Sequence, residues 1–200
     1  MKDETVTGRW HLHVTVKHVV WGVDPRIFEK DCLALGIRPV VVRNLMIDPG
    51  EEGYDELIAA LHFEGTLAQA QHELVTMSCR MARCYWTPTR AKIKGSPEIL
   101  GSSVNRADLP VCYWEAHLSV PKTDDSIRWL RRVSIQGWRP ALSVSGDRLT
   151  ATIRGDRNMV VTTLARLESE LFGRVSVLKR RVEICVMDTK RELDDRWLGS

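Results

Sequence analysis

Two short stretches place a histidine and a hydroxyl residue two positions apart on the polar face of a strand. The first reads Trp10-His11-Leu12-His13-Val14-Thr15-Val16, the second Trp114-Glu115-Ala116-His117-Leu118-Ser119-Val120. Both alternate apolar and polar residues, the period of a half-buried strand. Trp10, Leu12, Val14 and Val16 share one face; His11, His13, Thr15 and Lys17 share the other. In the second stretch Trp114, Ala116, Leu118 and Val120 oppose Tyr113, Glu115, His117 and Ser119. Imidazole titrates near neutrality, so two histidines facing one ligand can take a proton on one side and give one on the other. A hydroxyl two residues on lies about 6–7 Å along the same face. It can donate a hydrogen bond to a phosphate oxygen held between the histidines, and the scheme needs no metal.

The elements that must position these residues recur in order. Asp24-Pro25 is a helix start, and Phe28, Cys32 and Leu35 form a helical stripe that Gly36 ends. Strands are expected at Val40-Val41-Val42, 57–63 and 90–94. Between the last two lies a helix opened by Thr66-Leu67-Ala68-Gln69, with Leu67, Ala70, Leu74, Met77 and Met81 on one side. Residues 95–110 shift to Gly, Ser and Pro without a period and read as a linker. The second half repeats the plan: a helix at 125–136 after Thr123-Asp124-Asp125-Ser126, strands at 141–144 and 149–153, a helix carrying Val160, Leu164, Leu167 and Leu171, and a last strand at 179–184. Gly137-Trp138-Arg139-Pro140 echoes Gly36-Ile37-Arg38-Pro39, and a short polar helix is expected at 189–197. The expected fold is α+β: tandem ferredoxin-like (β-α-β-β-α-β) lobes at 1–94 and 111–200, with antiparallel sheets and an inter-lobe cleft. The helices would cover the face with Trp10 and Trp114, leaving the histidine face toward the cleft.

The paired His13-Val14-Thr15 and His117-Leu118-Ser119 resemble the His-x-Thr/Ser motifs of the two-histidine (2H) phosphoesterase superfamily. The resemblance implies a bilobed, pseudo-symmetric protein with one motif per lobe facing a shared groove. It implies metal-independent cleavage or formation of 2′,3′-cyclic phosphodiesters and related RNA-end or cyclic-nucleotide bonds. His13 and His117 would then be the acid–base pair, and Thr15 and Ser119 would bind the phosphate.

Other readings of the same residues stay open. The histidines could bind a nucleotide or RNA phosphodiester without turnover, or be strand residues bonded to their neighbours. His11 and Glu115 hold matching positions beside them and could tune them. Lys92 and Arg181, with Arg90 and Lys179, could edge a cleft. Tyr113, Tyr85 and Trp86 could stack a base. His11 and His13 share a face, yet no third His or Cys has convincing metal spacing, so neither metal nor cofactor is expected.

The bulk composition sets wide limits. A hydrophobic content of 44 % can build a core, and a net charge of +3 fits an anionic ligand without requiring one. Five cysteines without a CxxC pair read as buried free thiols in a reducing compartment. No apolar run reaches membrane-spanning length, and the polar Met1-Lys2-Asp3-Glu4 is unlike a signal peptide. A cytoplasmic protein is expected, with its oligomeric state left open.

Overall fold

The computed structural model describes residues 6–20, 22–45, 53–100, 111–133 and 139–190. Its elements are β1 (Thr7–His18), α1 (Pro25–Ala34), β2 (Arg38–Leu45), β3 (Tyr54–Thr66), α2 (Leu67–Arg83), β4 (Trp86–Gly95), β5 (Tyr113–Pro121), α3 (Asp124–Arg132), β6 (Ala141–Ser145), β7 (Arg148–Gly155), α4 (Arg157–Leu171) and β8 (Lys179–Asp188). A 3-10 turn, Pro97–Leu100, follows β4 within the stretch read as linker. The rest of that stretch, Gly137-Trp138 and the expected helix from 191 on lie outside the described residues.

Helix starts follow local chemistry. Asp24 accepts from the Arg26 N–H, with Pro25 in the first turn. Thr66 and Gln69 close a reciprocal capping box, and Thr123 and Asp156 cap α3 and α4. Gly65 and Gly155 each precede such a cap at φ +156°, a conformation that L side chains rarely adopt. The same backbone device thus turns strand into helix at corresponding points of both halves.

The chain forms two compact units. The first comprises Met1–Val41, Glu56–Cys112 and Ile184–Lys190; the second comprises Val42–Asp55, Tyr113–Glu183 and Arg191–Ser200. In the first, α2 packs on β1 and β4. Trp10, Leu12, Val14, Phe28, Cys32, Leu74, Met77, Met81, Trp86 and Ile93 are buried there. In the second, α4 packs on β5 and β7. Its core joins Ala116, Leu118, Val120, Leu142, Leu149, Ile153, Val160, Leu164, Leu167 and Leu171. The apolar face of each histidine strand therefore packs under helices, as its alternation requires. Trp10 is fully buried, whereas Trp114 is half-buried with the Arg157 guanidinium 5.5 Å from its ring centre.

The expectation of tandem ferredoxin-like lobes with open sheets and a cleft is corrected by the strand pairing. The strands pair in the order β1-β3-β2-β6-β7-β5-β8-β4, and β4 pairs in turn with β1, so the antiparallel ladder closes into an eight-stranded barrel. Two strands make the closure by running from one unit into the other. β2 begins in the first unit, and its Arg43–Leu45 end pairs with β6 in the second. β8 begins in the second unit, and its Ile184–Asp188 end pairs with β4 in the first. An open sheet leaves a row of unsatisfied N–H and C=O groups at each edge, and closure removes those edges.

The five cysteines are thiols rather than disulfides, but their surroundings differ from a uniformly buried set: Cys32 and Cys185 are buried, and Cys79 is exposed. Burial pushes the Cys32 thiol up to about 12, with the Asp31 charge adding to the effect. The native state thus holds this proton over a range, from 9.0 to about 12, in which the unfolded thiol loses it. The contribution to stability is whole below that range and falls as pH rises through it. The thiolate is the reactive form, so iodoacetamide at mildly alkaline pH is expected to label Cys79 in the native protein and Cys32 only after unfolding. Peptide mass mapping of the alkylated cysteines checks this.

Candidate functional site

The polar face of the first unit is built by β1 and β4. Their register sets His11 opposite Lys94, His13 opposite Lys92 and Thr15 opposite Arg90. Three successive same-face rungs thus pair an imidazole or hydroxyl with a cation. Arg90, Lys92 and Lys94 alternate along β4, so they point the same way, and all three are buried. The β1 members of the rungs are half-buried. Like charges in a row repel, and burial removes the water that would screen them. A carboxylate answers the row. Asp188 on β8, with its side chain fully buried, accepts from Arg90 Nε at 2.9 Å and lies 3.7 Å from Lys92 Nζ. Glu56 accepts from the Thr15 hydroxyl at 3.0 Å. On the other side of β1, His13 faces Ala60 and His11 meets the edge of the His62 ring at 4.4 Å.

The second unit carries a different arrangement around His117. Nδ1 lies 3.1 Å from the Thr152 hydroxyl, while Nε2 lies 3.1 Å from Glu115 Oε2 and 3.5 Å from Glu183 Oε2. Nε2 faces carboxylate oxygens, and Thr152 can donate to Nδ1 or accept from it. Each carboxylate turns its other oxygen to an arginine: Glu115 Oε1 to Arg154 Nε, and Glu183 Oε1 to Arg181 at 2.9 Å. Glu115 and Glu183 are buried. Ser119 shares a hydrogen bond of 3.0 Å with Thr150.

The two histidine strands therefore differ in more than residue type. Gly155 pairs with Trp114, whereas Gly65 pairs with Gly8, two residues before Trp10. A shift of two keeps every side chain on its face but changes its neighbour. That is why His117 meets the hydroxyl of Thr152 while His13 meets the methyl of Ala60.

The residues singled out from sequence are placed unit by unit. His11, His13, Thr15 and Lys92 come together in the first unit; Glu115, His117 and Arg181 come together in the second. Tyr113 is buried, and Trp86 is fully buried with its indole N–H on Asp31, so neither offers an open ring to a base; Tyr85 is exposed. Asp188, Arg154, Glu183 and Thr152 were not found by motif. Glu183 stands two residues from Arg181 and so shares its face, the one signal that pointed to it.

Comparison with protein-family models gives no match for this chain. Comparison with curated proteins gives none either. No helix among the described residues is long and apolar enough to cross a membrane.

Proposed function

We propose that this protein binds a phosphate ester of the nucleotide or RNA-end class on the β1–β4 face of the first unit, without turning it over. The observation that carries the reading is the three-rung register, His11–Lys94, His13–Lys92 and Thr15–Arg90. The half-buried β1 side chains are the ones a ligand touches. The buried cations beside them, of which Arg90 and Lys92 share Asp188, add an attraction for an anion that solvent screens little. The likeness of His13-Val14-Thr15 to a His-x-Thr/Ser motif narrows the ester to a nucleotide or RNA end. Binding is favoured over two-histidine hydrolysis because both ring nitrogens of His117 are engaged, by Thr152 and by the carboxylates. The Thr15 hydrogen, likewise, is already donated to Glu56.

Calorimetric titration with adenosine 5′-monophosphate and with 2′,3′-cyclic adenosine monophosphate tests this. Wild type is expected to bind, and Lys92→Gln, which keeps the Arg90–Asp188 pair, to bind about tenfold more weakly, a loss of about 1.4 kcal/mol. Absence of binding in wild type, or equal affinity in Lys92→Gln, overturns the proposal. Hydrolysis of the cyclic ester that His13→Ala abolishes while binding persists would replace it with acid–base catalysis.

A further inference from the structure

We propose that the second unit holds a divalent transition-metal site whose ligands are Glu115 Oε2, Glu183 Oε2 and His117 Nε2. The site lies within one unit and does not depend on the phosphate reading.

Three observations carry it. The first is convergence: one ligand atom from each of Glu115, His117 and Glu183 lies within 4.8 Å of the other two. The second is spacing. Metal–ligand arms of about 2.1 Å in a tetrahedron set ligand atoms about 3.4 Å apart. His117 Nε2 stands 3.1 Å from one carboxylate oxygen and 3.5 Å from the other. The third is the way each ligand is held from behind. The atoms turned away from the shared point each have their own partner: Arg154 on Glu115, Arg181 on Glu183 and Thr152 on His117. Metal-binding histidines characteristically use their second nitrogen this way, and ligating carboxylates are themselves hydrogen-bonded. Arg154, Arg181 and Thr152 are thus positioning residues.

The charge balance selects the ion. Each arginine offsets one carboxylate, so the site is weaker for hard cations that need several uncompensated oxygens. The imidazole nitrogen instead favours Zn2+ or Co2+. On binding, the ring's hydrogen moves by exchange with solvent from Nε2 to Nδ1, where the Thr152 hydroxyl accepts it, and the freed Nε2 lone pair forms the bond to the metal, so the imidazole stays neutral. Three protein ligands leave a fourth position for water. The imidazole, with its side chain 23 % exposed against 0 % and 4 % for the carboxylates, marks the side from which the ion enters.

The test is titration of the full-length protein with Co2+ alone, read by its visible absorption. Wild type is expected to take up a single Co2+ with the bands of a nitrogen–oxygen tetrahedral site. His117→Gln and Glu183→Gln are expected to abolish those bands. Thr152→Val, which leaves every ligand in place, is expected to weaken binding by about 10–100-fold. Circular dichroism of each variant separates lost ligation from lost folding, and Thr152→Val carries the test where a ligand variant unfolds. No uptake by folded wild type, uptake unchanged in the folded variants, or thiolate charge-transfer bands that place the ion on cysteine would each overturn the proposal.

Discussion

Replacing Asp188 by Ala is expected to lower the stability of the protein by about 3–5 kcal/mol, the range for breaking a buried ion pair by removing one partner. The Asp188 side chain is fully buried and holds Arg90 through two hydrogen bonds, with Lys92 close by. Its removal leaves buried cations side by side on β4 with one carboxylate fewer. It also removes an acceptor for the Lys190 N–H, at the end of the strand that closes the ladder against β4. Urea unfolding followed by circular dichroism measures the loss. Replacing Arg90 and Asp188 together by apolar residues of similar volume is expected to cost less, because the Arg90 guanidinium is then not stranded and only Lys92 loses its neighbour. Equal losses in the single and double variants would show that packing, not charge, sets the cost.

Trp10→Ala is expected to cost about 3–5 kcal/mol, the usual range for emptying a buried aromatic site. The ring is wholly buried, and its N–H donates to the Gly65 carbonyl at 3.0 Å. A Cβ added at Gly95 would come within 2.6 Å of Ile99 Cδ1 and 3.2 Å of the Trp10 ring, so the indole lies close over a glycine that leaves it room. Truncation opens a cavity, removes the hydrogen bond at the β3–α2 turn and exposes the packing of the 3-10 turn. Trp114→Ala is the control. Trp114 is the sequence counterpart of Trp10, but it is half-buried, so the same truncation is expected to cost clearly less in thermal or urea unfolding.

Much of the local structure is legible in the sequence, because it is set by neighbours a few residues away. The alternation around His13 and His117 fixes which side chains share a face. Asp24-Pro25, Thr66…Gln69 and Asp156 mark helix starts through bonds to N–H groups two or three residues on. The period of a strand says nothing of which strand lies beside it. The closure through β2–β6 and β4–β8 therefore escaped a reading that kept each half to itself. Asp188 as the partner of Arg90 escaped for the same reason. Arg90 and Asp188 are 98 residues apart, and only the β4–β8 ladder brings them together. The motif likeness treats His13 and His117 as equivalents. A two-residue difference in register gives one an alanine neighbour and the other a threonine, and His11 and Glu115 complete the divergence.

The most direct test of the account is the ring C–H resonances of the six histidines, followed by NMR as adenosine 5′-monophosphate is added. The account predicts saturable shifts at His13 and His11, with His72 on the exposed face of α2 unmoved. Shifts confined to other histidines, or none at all while the protein stays folded, would contradict a phosphate-ester site on the β1–β4 face.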